Sequence, residues 1–153
     1  MSKYGGKSAT AEQVAALVGN GMWVDYGTIQ PPRAFDRALA ARVGELKGVK
    51  VRTLGHLAPF EIMEKDSEGT AFWVGNWHIL GLTRKYLAEN RGTHNPYNFG
   101  ETARYYREDI DVDVAVQTVT PMNRHGYFNF GPLCNFKKAV FDKAKIKVVE
   151  VIE

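Results

Sequence analysis

The sequence predicts an α/β domain, an open and mainly parallel sheet with helices on both faces. Three observations carry that expectation. The run Val112 to Val119 is rich in valine and holds one charge, Asp113, as a strand buried on both faces of a parallel sheet reads. Other strand-like runs are separated by stretches with helical spacing, which implies crossovers between parallel strands. A loop dense in polar and aromatic groups, Thr120 to Pro132, follows the valine run. Ligands of open α/β sheets sit at such carboxyl ends of strands.

The elements follow in order. Thr10 and Gln13 form a capping box that opens a helix over Ala11 to Leu17, ending near Gly19 and Gly21. Met22 to Tyr26 is a short strand. Pro31 and Pro32 fit a first helical turn, where no backbone donor is missed. Phe35, Leu39 and Val43 continue at helical spacing, and that helix fades before Gly48. Val49 to Leu54 alternates as a second strand with Gly55 and His56 at its end. Thr70 to Val74 reads as a strand, and Ile79 to Glu89 as a helix that turns Ile79, Leu82, Tyr86 and Leu87 inward before Arg91-Gly92. Glu101 to Glu108 is a short helix. After the valine strand, Phe136, Ala139 and Val140 mark another helix, and Ile146 to Ile152 a closing strand. A parallel strand is normally followed by a helix that covers the sheet. The closing strand therefore suggests a fragment, or a subunit completed by a partner.

A length of 153 residues suits one domain with a real core. The formal charge of +3 is mild and spread along the chain, weakly favouring an anionic ligand and disfavouring a nucleic-acid groove. Arg104-Tyr105-Tyr106-Arg107 lacks a surrounding basic field and reads as a solvated helix with its tyrosines packed inward. No apolar run nears the ~18 residues needed to cross a bilayer. The start lacks the apolar stretch of a signal peptide. The single cysteine, Cys134, leaves no internal disulfide and fits a reducing compartment, so cytoplasm is the default. That cysteine reads as a small buried apolar residue, although a place near a helix start would lower a thiol's pKa. His56, His78, His94 and His125 lack metal-ligand spacing.

Two loops are candidates for chemistry. Gly27-Thr28-Ile29-Gln30 joins a strand to a helix start, where backbone amides attract a phosphate, a carboxylate or an oxyanion. One glycine is far short of a phosphate-binding fingerprint, so a plain turn is the alternative. His125 either moves a proton or holds its loop, with Gly126 present for a positive backbone angle. Trp73, Trp77 and His78 either line an acyl pocket or pack as a core cluster.

Taken together, the segments resemble a family. Gly21 to Gly27, Pro32 to Ala40, Trp77-His78 with Gly81, Arg104 to Glu108, Pro121-Met122 and His125 to Pro132 match, in order, the N-terminal part of CoA-transferases. The match is to the acetyl-CoA hydrolase/transferase group of family I, which includes the butyryl-CoA:acetate and 4-hydroxybutyrate enzymes. The resemblance implies one of two similar open α/β domains, with residues 1–153 the N-terminal one and a catalytic C-terminal domain or subunit lying outside this chain. It implies acyl-CoA and a short-chain carboxylate as substrates, coenzyme A among them, and no permanently bound cofactor. A glutamate of the second domain would attack the thioester and carry CoA as a glutamyl thioester. No catalytic residue is then expected here, and Glu61, Glu64, Glu101 and Glu108 are not candidates. Gly27, Thr28, Ile29 and Gln30 would face the acyl carbonyl. Asn123, His125, Gly126, Tyr127 and Asn129 would wall the carboxylate pocket. A half of this kind should bury its apolar face in a homo-oligomer or against its mate. A non-catalytic acyl-CoA or small-acid binding module is the rival reading. A nucleotide-binding domain of another class is disfavoured, because no Gly-x-Gly-x-x-Gly follows a strand.

Overall fold

The computed structural model describes residues 4–27, 29–132 and 134–152. Thr28, and Glu153 at the end of the chain, lie outside the described residues. Six strands form one sheet: β1 (Trp23–Tyr26), β2 (Val49–Thr53), β3 (Phe72–Asn76), β4 (Gly92–His94), β5 (Val114–Val119) and β6 (Ile146–Val151). Their order is β4-β3-β2-β1-β5-β6, and every pairing is parallel. The chain steps outward from β1 to β4, then returns to the other side of β1 as β5. The order reverses between β1 and β5, so their carboxyl ends bound the crevice where such sheets bind ligands.

The helices are α1 (Ala11–Ala15), α2 (Arg33–Ala40), α3 (Glu61–Lys65), α4 (Gly81–Ala88), α5 (Thr102–Glu108) and α6 (Lys137–Lys143). One face of the sheet packs Val24, Val51, Val74 and Val116 against α1, α2 and α3, with Tyr86 of α4. The other packs Ala115 under Tyr106 of α5 and Ala139 and Val140 of α6. All six residues of β5 are buried, as its valine run requires.

The Thr10–Gln13 capping box forms in both directions. Arg42 closes the other end of that helical segment by donating to the carbonyls of Ala15 and Val18 at 2.6 and 2.8 Å. The prolines depart from expectation. Pro32 is the N-cap of α2, and the helix begins at Arg33. A proline side chain cannot cap, and the task passes to Glu150 of β6. Its carboxylate accepts from the Ala34 and Phe35 amides at 3.2 and 3.0 Å, placing a negative charge where the helix dipole favours one.

Two elements were not expected, α3 and β4. Both are very short, and Gly92-Thr93-His94 has no apolar alternation to mark a strand. The phase of α4 also differs. Thr83 bonds the Leu80 carbonyl and amide, which starts the helix at Gly81 and turns Thr83 and Tyr86 inward. Leu82, expected inside, is 42 % exposed. Cys134 is exposed rather than buried. Tyr106 packs inward as its helix pattern required.

Buried charge is heavily compensated across β1 and β2. Asp25 and Arg52 pair at 3.1 Å, both nearly inaccessible. Tyr106 donates to the second Asp25 oxygen. The guanidinium stacks 4.1 Å from the Trp23 ring, and Trp77 donates to Tyr106. Asp66 accepts from the Thr70, Ala71 and Phe72 amides and so fixes the entry to β3.

Candidate functional site at the switch point of the sheet

The site is built where β1 and β5 end. Beyond β1, Gly27 is buried and Ile29 takes a positive φ of 64°. Ile29 bridges to the segment after β2, donating to the Gly55 carbonyl at 2.8 Å and accepting from the Leu57 amide at 3.1 Å. That pairing holds the first loop against the sheet rim and leaves Gln30 exposed at the mouth of a cleft.

The cleft has a volume of about 220 Å³. Gln30, Thr118, Thr120 and Lys137 supply its polar groups, and Val119, Phe130 and Ile152 its apolar ones. A cavity of ~150 Å³ can hold a benzene-sized molecule, whereas drug-sized ligands take roughly 300–1,000 Å³. This one suits a small acid and is too small for a whole CoA.

Beneath the rim lies a layer of buried polar side chains. Lys137, the first residue of α6, is 3 % exposed. Its ammonium donates to the Phe130 carbonyl at 3.3 Å. Among the described residues no ion pair includes it. Burial holds its pKa below the ordinary lysine value, with Cys134 acting in the opposite direction. Gln117 of β5 is wholly buried, and among the described residues neither its amide nitrogen nor its oxygen has a partner. A β-carbon on Gly27 would stand 2.1 Å from Gln117 Oε1 and 3.1 Å from Lys137 Cε, so any larger residue there would displace these two side chains. His56 lies beside them, 4.6 Å from the Phe60 ring, with its Nε2 3.0 Å from the Thr53 hydroxyl. Burial first, and then the Lys137 charge, push the His56 pKa down to about 3. The ring is neutral at physiological pH and packs within the buried layer without reaching the cleft.

The structure divides the residues expected from sequence. Gln30 lines the cleft, Gly27 is buried beside Gln117 and Lys137, and Ile29 faces a neighbouring hollow. The second loop is a hairpin closed on itself. Asn123 Oδ1 accepts from the His125 and Tyr127 amides at 2.9 and 3.0 Å, and its own amide donates to the Tyr127 carbonyl. Gly126 takes the positive φ that this turn requires, 84°. His125 accepts from Arg124 at 3.0 Å in the open, and Tyr127 is 70 % exposed. Asn129 anchors the base of the hairpin, its carbonyl accepting from the Thr120 amide. Only the two ends of this loop, Thr120 and Phe130 to Pro132, reach the cleft. Gly126 and Phe128 instead line a larger hollow of about 880 Å³ beside α1 and β6. Trp77 and His78 line a third hollow with Ile29 and Tyr97.

Lys137, Gln117 and His56 were not singled out as site residues from sequence. A lysine in a helix and a glutamine in a strand carry no signal, because their burial is a property of the assembled sheet. Glu64, Glu101 and Glu108 sit in solvent-facing ion pairs with Lys85 and Arg104, and Glu61 pairs with Arg37.

Comparison with known proteins places this geometry. Residues 1–153 match the family model described as the acetyl-CoA hydrolase/transferase N-terminal domain. The chain is 39% identical over 153 residues to the butyryl-CoA:acetate CoA-transferase of Anaerostipes caccae, covering 99% of this chain and 34% of that protein. It is 25% identical over 154 residues to the 4-hydroxybutyrate coenzyme A transferase of Clostridium kluyveri, covering 97% and 35% respectively. The chain thus spans about a third of the length of these relatives. RipA from Yersinia pestis shares the fold, with a TM-score of 0.79 at 23% identity over 97% of this chain and 37% of that one.

Proposed function

Since the chain belongs to the acetyl-CoA hydrolase/transferase family through its N-terminal domain, we propose that it is one half of a CoA-transferase. The reaction would move CoA between a short-chain acyl-CoA (acetyl, butyryl or 4-hydroxybutyryl) and a free carboxylate such as acetate. The observation that carries this reading is the 39% identity to a butyryl-CoA:acetate CoA-transferase across nearly the whole chain. The open cleft at the switch point supports it, because it offers a small acid one wall and leaves the facing side to another domain.

In this reading a glutamate of a second domain attacks the acyl carbonyl, CoA leaves as thiolate, and the acyl group remains as a mixed anhydride. The thiolate then returns to the glutamyl carbonyl and releases the free acid. The second half reverses these steps with the incoming carboxylate. The Gly27 to Gln30 loop would face the acyl carbonyl, and the hairpin from Asn123 to Asn129, with His125, Gly126 and Tyr127 at its tip, stands outside the cleft and would wall the acid's approach only with the facing domain in place. Hydrolysis of the thioester would need only water in place of the second carboxylate. CoA is a substrate here, with no resident cofactor. We place the partner domain along β6, whose residues are at best half-buried, and assign the protein to the cytoplasm as a homo-oligomer. No helix among the described residues is long and apolar enough to cross a membrane.

The test combines this chain with a catalytic C-terminal domain of the family and follows CoA exchange from butyryl-CoA to acetate. The mixture should exchange CoA and each part alone should be inert. A folded, associated mixture without exchange, or thioester turnover by this chain unaided, overturns the proposal.

A further inference from the structure

We propose that Lys137, at the wall of the switch-point cleft and backed by Gln117 in the buried layer behind it, forms a carboxylate subsite that holds the free acid by its head group. Three independent observations on the structure lead there. The first is an uncompensated charge. Lys137 is 3 % exposed, and its ammonium has one 3.3 Å carbonyl contact and the Phe130 ring at 5.9 Å, which leaves it short of the counter-charge that buried ions ordinarily require. The second is the Gln117 amide, fully buried with both polar atoms unpartnered. A buried amide of this kind forfeits roughly 1–3 kcal/mol unless something else bonds it. The third is the space. Lys137 lines a cleft of about 220 Å³ whose other walls include Phe130, Val119 and Ile152.

These features define the ligand. The cation requires an anion. The Gln117 amide, whose oxygen faces Gly27, would supply a second, neutral donor on turning its nitrogen toward the cleft, to match the two oxygens of a carboxylate. The apolar walls take a short alkyl chain, and the volume excludes a nucleotide. Gly27 completes the arrangement, because any larger residue would occupy the space shared by the two side chains. The ligand enters by replacing the long Lys137–Phe130 carbonyl contact with a charge-assisted bond, about twice as strong as a neutral one. The choice of a carboxylate among small anions rests on the proposed function. The existence of an anion site does not.

The experiment is an NMR titration of the 153-residue chain with sodium butyrate, following the Lys137 side-chain nitrogen and the backbone around residues 117, 130 and 137, with inorganic phosphate in a parallel series. Butyrate should move these signals saturably and raise the pKa of the Lys137 ammonium. K137M, checked for folding by circular dichroism, should lose the saturable response, and Q117L should weaken it about tenfold. Unmoved signals, or undiminished binding by K137M, overturn the subsite. Saturable binding of phosphate but not butyrate overturns the carboxylate assignment. Butyrate binding by a chain that supports no CoA exchange with a competent partner sinks the transferase reading and leaves the subsite standing.

Discussion

Two buried cations, Arg52 in the sheet and Lys137 at the start of α6, are treated in opposite ways. Arg52 has a carboxylate at 3.1 Å, a tryptophan face at 4.1 Å and a tyrosine bonded to the same aspartate. Among the described residues Lys137 has one carbonyl and the Phe130 ring at 5.9 Å but no carboxylate, beside an amide with no partner. The first arrangement is closed, and nothing is left for a ligand to satisfy. The second is open in the electrostatic sense, and it sits at the one place where the strand order reverses. Structural charges are completed within the fold, whereas a binding site leaves its bonds for the ligand to make.

Breaking the closed pair should produce the largest effect. Asp25→Ala strands a buried guanidinium and should lower the unfolding free energy by roughly 3–5 kcal/mol, read from urea denaturation. A loss below about 1 kcal/mol would mean that Arg52 finds another partner. Gly27→Ala comes next. The added methyl meets Gln117 and Lys137 in a packed layer, and overpacking of this kind costs about 1–3 kcal/mol. Butyrate binding should fall with it, and an unaltered titration would detach Gly27 from the site.

Lys137→Met should carry the opposite sign from Asp25→Ala. Removing an uncompensated buried charge while keeping the volume should stabilise the fold by about 1 kcal/mol, visible as a higher urea midpoint. Destabilisation instead would show that the ammonium is structural, and the contrast with Arg52 would collapse.

The smallest effect is a pH slope. Burial raises the carboxyl groups of Asp25 and Asp36 to about 6, against the Arg52 charge in the first and the Glu61 amide in the second. Each folded-state pKa exceeds its unfolded value near 4, so the folded protein binds these protons more tightly. Stability from each is present at low pH and is lost as pH rises through 6. Lowering the pH from 7 to 5 should return about 1 kcal/mol per group. Asp36→Asn should remove its share of that slope. An unchanged difference between the two pH values would place the Asp36 titration elsewhere.

Much of the fold was legible in the chain because it is encoded locally. Thr10 and Gln13 fix a helix start within four residues, and the valines of β5 announce a strand buried on both faces. Gly27 was legible as a position of close approach. The reading failed where a distant residue decides the outcome. The cap of α2 comes from Glu150, more than a hundred residues away, and the phase of α4 is set by how Thr83 bonds Leu80. The hairpin was legible as a loop with a positive φ at Gly126, but that its tip stands away from the cleft was not.

By itself, then, the sequence determined the alternation of strands and helices, the α/β class and the family, since each rests on short-range pattern or on motifs in fixed order. Only the tertiary structure decided that β5 returns beside β1 and brings Gln117, Lys137 and Gly27 into one buried layer. Burial and missing partners are relations among segments far apart in the chain. A lysine acquires its unsatisfied charge only once the sheet has closed around it.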